Sequence, residues 1–360
     1  MKATFGNRRR ALIQLLAARH LDALLITQPA NWYYLTGFTG ESGALLCGLK
    51  ATTLITDGRF TVQAANETTG VKIHLQKGSL SESTGQFLKE SRGKTIGYDP
   101  TQLTVEQFNG VRKATGAKWE WVSVPGLVES LRQRKEPAEL VQMRKAAILA
   151  GEVVESVLPL LKPGVREIEI AAEIEYHMRK LGASGPAFES IVAFGARGAL
   201  PHAQPTSKRL RKNELVVLDL GVILGHYCSD ITRTVFVGKA SARIRGWYKA
   251  VLEAQTAAIA AIQNGAACGD VDAAARQVLT GYQLDRYFVH STGHGLGLEV
   301  HEAPRVARGQ KQRLEPGNVI TIEPGVYVEG VGGIRIEDDV AVHTDRTEIL
   351  TRIPRDLIEL

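Results

Sequence analysis

With 360 residues, 44% of them hydrophobic and 23% charged, the chain has the make-up of a soluble globular protein, and it is longer than one small core usually fills. A net charge of +6 would suit nucleic acid, but the 44 Lys and Arg are interspersed with 38 Asp and Glu and the densest basic run is only Arg8, Arg9 and Arg10, so the scattering argues against nucleic acid as a partner. No apolar stretch approaches the about 20 residues that cross a bilayer, which excludes a membrane-spanning protein and leaves a soluble, cytoplasmic one as the expectation.

The first residues pair basic side chains with ALIQLLAARH, which imitates a signal peptide until Gln14, Arg19 and His20 interrupt it. An amphipathic helix from Arg8 to Arg19 is expected instead. The runs DALLIT, GALLCGL, TTLITD, VKIHLQ and TIGYD read as strands bounded by turn residues, so residues 1–130 are expected to form an α/β domain. Trp32, Tyr33 and Tyr34 are expected in its core, with an aromatic wall facing substrate as the alternative. Cys47, Cys228 and Cys268 are far apart and lack any C-x-x-C spacing, so they read as reduced core residues, neither a disulfide framework nor a thiolate metal site. Between Val128 and Pro137 the sequence turns strongly charged, and Glu136-Pro137 marks a helix start with Pro in its first turn. Residues 131–360 then make a second domain.

That second part repeats itself. GVREIEIAA at 164–172 is echoed by GDVDAAA at 269–275, and each is followed by an apolar strand carrying a carboxylate, LDLGV with Asp219 and IEPGV with Glu323. A second carboxylate follows each strand, Asp230 and Glu337, and the segment ending in His202 parallels the one ending in His301. Two related helix-helix-strand-strand units would place Asp219 beside Glu323 and Asp230 beside Glu337 at the centre. His202 and His301 would lie to either side, and His294 aligns with Gly195 of the first unit.

Asp219, Asp230, His294, Glu323 and Glu337 all sit in apolar or glycine-rich runs, where an unpaired charge is expensive. Four carboxylates bring −4 and two divalent ions return +4, so a two-metal site balances without recruiting Lys or Arg. Arg335, two residues before Glu337, shares its face on a strand and is a candidate either for the substrate carboxylate or for buffering the acidic cluster. Tyr327 and Arg305 read as structural residues near the same pocket. His20, His74, His177, His226, His290 and His343 read as surface or packing residues.

In order and spacing, LDLG(x)7SDITRT, GHGLGLEVHEAP, EPGNVITIEPGVY and GGIRIEDD resemble the pita-bread metallopeptidases, and specifically the Xaa-Pro branch of aminopeptidase P and prolidase. NWYYLTGFTGESG and TDGRF resemble that branch's creatinase-like N-terminal domain. The resemblance implies an α+β catalytic domain with a pseudo-two-fold repeat behind a smaller α/β domain, hydrolysis of Xaa-Pro peptides, and a homodimer. It further implies that Asp219 binds one metal, that His294 and Glu323 bind the other, and that Asp230 and Glu337 bridge them. By the same resemblance Glu323 is the acid/base shuttle, His301 donates to the tetrahedral intermediate and His202 contacts substrate near the scissile bond. A mostly oxygen ligand set with one imidazole suits Mn²⁺, with Co²⁺, Zn²⁺ or Fe²⁺ as other occupants. The motifs leave dipeptidase and longer-peptide aminopeptidase both open. The competing readings are a creatinase-like amidinohydrolase and a binding protein of the same fold.

Overall fold

The computed structural model describes residues 2–360, which divide into two compact units, one ending at Arg132 and the other running Gln133–Leu360. Among the described residues no helix is long and apolar enough to cross a membrane. All three cysteines are free and buried.

The first unit is built on strands β1 (Ala23–Ile26), β2 (Ala44–Gly48), β3 (Thr52–Thr56), β4 (Lys72–Leu75), β5 (Thr95–Tyr98) and β6 (Glu120–Ser123). They form one sheet in the order β4-β3-β2-β1-β5-β6, with β2 antiparallel to both its neighbours and the other pairs parallel. The apolar run of β1 and the Thr-flanked Leu54-Ile55 of β3 are buried at every position, as expected of strands covered on both faces. Strands β4 and β6 lie at the two sheet edges with half their residues exposed, so neither carries the apolar run of β1. Helices α1 (Lys2–Ala18), α2 (Pro29–Thr36), α3 (Thr61–Glu67), α4 (Leu80–Glu90), α5 (Val105–Thr115) and the single turn α6 (Glu129–Arg132) complete the unit. Trp32 and Tyr34 are buried in it.

The second unit opens with α7 (Pro137–Val157), where Pro137 occupies the first turn and Glu139 caps back to the Glu136 N–H. Then come α8 (Glu167–Lys180), β7 (Gly185–Pro186), β8 (Ile191–Phe194), β9 (Glu214–Leu220), β10 (Val222–Leu224), β11 (Tyr227–Cys228) and β12 (Ile231–Val237). The second half has α9 (Ala242–Ala260), α10 (Cys268–Gly281), β13 (Gly293–Gly295), β14 (Glu302–Val306), β15 (Val319–Ile322), β16 (Gly325–Val328), β17 (Gly332–Arg335), β18 (Asp338–Val342) and β19 (Thr347–Ile349). Each half buries its sheet under its own helix pair. Ala150, Val154, Ile170 and Ile174 pack on Val216, Leu218 and Leu220 in the first. In the second, Val251, Ala254, Val271 and Ala275 pack with Ile320, Ile322, Ile334 and Ile336.

Strand alternation then dictates where the polar residues go. If Leu218 and Leu220 face the helices, Asp219 faces away, and by the same rule Thr321, Glu323, Arg335 and Glu337 leave the helix-packed face. The acidic residues therefore collect on the side opposite both cores.

Pairing registers correct two details of the repeat. Arg233 lies opposite Leu218 on β9, and Asp338 lies opposite the equivalent Ile322 on β15, so Arg233 and Asp338 are the same position of the two halves. Counting back, Thr232 corresponds to Glu337, and Asp230 corresponds to Arg335 rather than to Glu337. Likewise Phe194 opposite Val216 matches Gly295 opposite Ile320, so His294 corresponds to Ala193 and not to Gly195. The second carboxylates therefore occupy non-equivalent positions of the two halves, which ladder register shows and carboxylate spacing does not.

Candidate active site

Five predicted ligand positions converge on one cavity of about 790 Å³, whose lining includes Asp219, Asp230, His294, Glu323 and Glu337. Asp219 comes from β9, Asp230 from the residue before β12, His294 from β13, Glu323 from the residue after β15, and Glu337 from the link between β17 and β18. His202, His301, Arg335 and Arg305 line the same cavity.

His294 can stand there because its neighbours are glycines. A Cβ on Gly293 would lie 1.8 Å from the Thr321 carbonyl oxygen, and one on Gly295 would lie 2.3 Å from that of Ala303, so both flanking backbones are approached too closely for any side chain. Its Nδ1 lies 3.0 Å from the Gly295 carbonyl oxygen, which can only accept, so the proton sits on Nδ1 and the Nε2 lone pair is free. That Nε2 is 3.4 Å from Glu323 Oε1 and 3.7 Å from Asp230 Oδ2. Ligand atoms of Asp230, His294 and Glu337 lie within 4.8 Å of one another, close enough to share one ion.

The electrostatics describe a cluster short of positive charge. Burial, followed by the neighbouring carboxylates, pushes Asp230 and Glu337 well above the usual carboxylate range. Glu323 is raised to about 8, mainly by burial, against the lowering effect of Arg335. Burial lowers His294 to about 4, which keeps it neutral and able to act as a ligand. Asp219 Oδ1 and Asp230 Oδ1 are buried without a hydrogen-bond partner. Orphaned carboxylate oxygens, crowded anions and an imidazole with a free lone pair fit divalent cations, which would satisfy all three at once.

Arg335 is the cation within this cluster, and its donors are largely committed. Its Nε donates to Thr232 Oγ1 at 3.0 Å, Nη1 to Tyr327 Oη at 2.6 Å and the Pro201 carbonyl at 3.3 Å, and Nη2 to an Asp219 carboxylate oxygen. Burial disfavours its charge, but Tyr327, Asp219, Glu323 and Glu337 outweigh that and leave it well above its ordinary pKa. These contacts favour the buffering role, with one Nη2 hydrogen left over.

His290, expected to be a surface or packing residue, instead stands in the cavity wall. Its Nδ1 donates to the Ser291 carbonyl at 2.8 Å, leaving Nε2 to accept from Tyr327 Oη at 2.8 Å, and it lines the cavity. Burial lowers it to about 4. Tyr327 thereby joins Arg335 to His290. The available signal was the short spacing of His290 from His294, which puts both on one extended approach to the site.

His301 stands edge-on to His294 with ring centroids 4.4 Å apart. Partial burial, and after it the His202 charge, lower its pKa. His202 itself lies on an exposed turn at the cavity wall. Arg305, expected to be structural, is exposed at the same wall, opposite His294 in the β13–β14 pair.

Comparison with known proteins matches this arrangement to one family. Residues 141–344 match the description metallopeptidase family M24, and residues 8–134 match the creatinase/prolidase N-terminal domain. The Xaa-Pro dipeptidase of Bacillus anthracis superposes with a TM-score of 0.95 at 37% identity, covering 99% of this chain and 100% of that one. The X-Pro aminopeptidase of Thermotoga maritima gives 0.88 at 34% identity, covering 95% and 98%. The Xaa-Pro dipeptidase of Pyrococcus furiosus is 35% identical over 354 residues, 98% of this chain and 99% of its own.

Proposed function

The chain belongs to metallopeptidase family M24, with a creatinase/prolidase N-terminal domain ahead of the catalytic one, and from that premise we propose that it hydrolyses Xaa-Pro peptide bonds using two divalent ions. The observation that carries the reading is the convergence of four carboxylates and one proton-poor imidazole on one cavity, in a chain whose whole length matches Xaa-Pro dipeptidases.

Asp219 would hold one ion, His294 and Glu323 the other, and Asp230 and Glu337 both. When bound, such ions supply Lewis acidity that makes a water nucleophilic near neutral pH and polarises the scissile carbonyl. Mn²⁺ is the occupant that this donor set suits best. Glu323 takes the proton of the attacking water and returns it to the prolyl nitrogen, which leaves only once protonated. His301 donates to the carbonyl oxygen as charge builds on it, and His202 contacts the substrate beside the scissile bond. Arg335 holds Asp219 and Tyr327 in place. A cytoplasmic homodimer completes the proposal.

The test compares Ala-Pro and Met-Pro with Xaa-Pro-Xaa tripeptides on protein reconstituted with Mn²⁺. Hydrolysis that vanishes with EDTA and returns with Mn²⁺ is expected. Preference for dipeptides identifies a prolidase, and cleavage of tripeptides an aminopeptidase. Activity that survives complete metal removal rules the proposal out.

A further inference from the structure

His301 stands on a loop that a buried ion pair holds from behind. Lys135 Nζ lies 3.1 Å from Glu302 Oε2, and the two side chains are only 1% and 6% exposed. Glu302 directly follows His301 and begins β14, where it pairs with Gly295, the residue after His294. Its other oxygen, Oε1, accepts the Glu299 N–H at 3.2 Å, which ties the start of the loop to its end.

The loop closes tightly around this pair. The Gly297 N–H donates to the Glu299 carbonyl at 2.9 Å, and the Gly297 carbonyl accepts the Cys228 N–H at 2.7 Å. A Cβ on Gly297 would meet the Glu302 carboxylate at 2.8 Å and Lys135 Cε at 2.9 Å, so the ion pair is packed directly against the turn of the loop. Lys135 itself has a fixed root. Its N–H donates to the Gly317 carbonyl at 2.8 Å, and Asn318 Nδ2 donates to the Gln133 carbonyl at 3.0 Å, which pins the connector to the turn that leads into β15.

We propose that Lys135 is a positioning residue for His301, acting through its buried ion pair with Glu302 to set where the imidazole stands relative to the scissile carbonyl. The inference rests on the peptidase reading for what His301 does, and on geometry alone for how the loop is held. A buried Lys–Glu pair fixes direction as well as distance, because each charge left unpaired in the interior is strongly disfavoured. Hydrogen bonds made in a transition state are sensitive to misplacement of about 1 Å, which can lower rates on the order of 100-fold.

The experiment uses full-length, Mn²⁺-reconstituted protein and the variants Lys135→Met, Lys135→Met/Glu302→Gln, His301→Ala and Lys135→Met/His301→Ala. The Lys135→Met/Glu302→Gln variant removes both charges and keeps a foldable interior if Lys135→Met alone does not fold. Expected results are a kcat about 10- to 100-fold lower on Ala-Pro with KM little changed, and no further loss when Lys135→Met is added to His301→Ala. Backbone amide exchange across 296–302 rises in both charge-removed variants. Wild-type kcat in Lys135→Met/Glu302→Gln, or effects of Lys135→Met and His301→Ala that multiply, overturns the proposal. If the wild-type protein cleaves no Xaa-Pro peptide, the peptidase reading fails, and unchanged exchange across 296–302 then separately overturns the positioning role.

Discussion

Arg233 and Asp338, the same position of the two repeats, form an ion pair with each other at 2.7 Å, and both side chains are almost fully buried. Where symmetry would place like with like, this chain has one cation and one anion. Arg233 also donates to the Glu337 carbonyl at 2.6 Å and to the Pro354 carbonyl at 2.9 Å, so the seam between the halves is held directly behind a proposed ligand position. Thr232 Oγ1 donates to Glu337 Oε2 at 2.6 Å on the other side of the same backbone.

Arg233→Met is therefore expected to destabilise the second unit by about 3–5 kcal/mol, because it strands a buried carboxylate. Urea unfolding measures this. A loss below about 1 kcal/mol would mean that Gln255, which donates to Asp338 Oδ2 at 2.9 Å, and Arg355, whose Nε lies 3.9 Å from the same oxygen, are sufficient partners.

Removing one anion from the ligand cluster has the opposite consequence for the metal-free protein. Glu337→Gln, stripped of metal, is expected to match the stripped wild type or exceed it by about 1–3 kcal/mol, since crowded buried carboxylates repel. Added Mn²⁺ should raise the melting temperature of the wild type and not that of the variant. Equal gains from Mn²⁺ would remove Glu337 from the ligand set.

Lysine cannot reproduce the four directed contacts that Arg335 makes to Thr232, Tyr327, Pro201 and Asp219. For Arg335→Lys we expect kcat to fall about 10- to 100-fold while KM changes little, because the lost function is the placement of Asp219 and Tyr327. A large rise in KM with kcat preserved would instead assign Arg335 to substrate binding. Steady-state kinetics on one dipeptide separates the two.

Outside the cavity lining, Glu348 is held at about 2 by hydrogen bonds from Arg144, opposed by partial burial and reinforced by His343. Its folded-state pKa lies below its ordinary one, so its stabilisation is present above the usual carboxylate range and is lost as pH falls from there towards about 2. Glu348→Gln should accordingly lower the urea midpoint at pH 7, with the gap to wild type narrowing as the solution is acidified. A gap independent of pH would show that the carboxylate charge contributes nothing.

The order of motifs was enough to indicate the fold, the family and the five residues that the structure brings to one cavity, because strand period, glycines forced by close backbone approach, and carboxylates in apolar runs are local properties of the chain. The register between strands is not local. Only the ladders show that Asp230 corresponds to Arg335 and His294 to Ala193, since hairpin length can vary while pairing sets which side chains face one another. The same holds for His290, whose role depends on Tyr327 and Arg335 arriving from β16 and β17, and for Lys135, more than 160 residues before the glutamate it pairs with. Sequence determined which chemistry the chain carries. Tertiary structure decided which neutral or charged partner each buried group meets, because burial makes those partners obligatory only once the chain has folded.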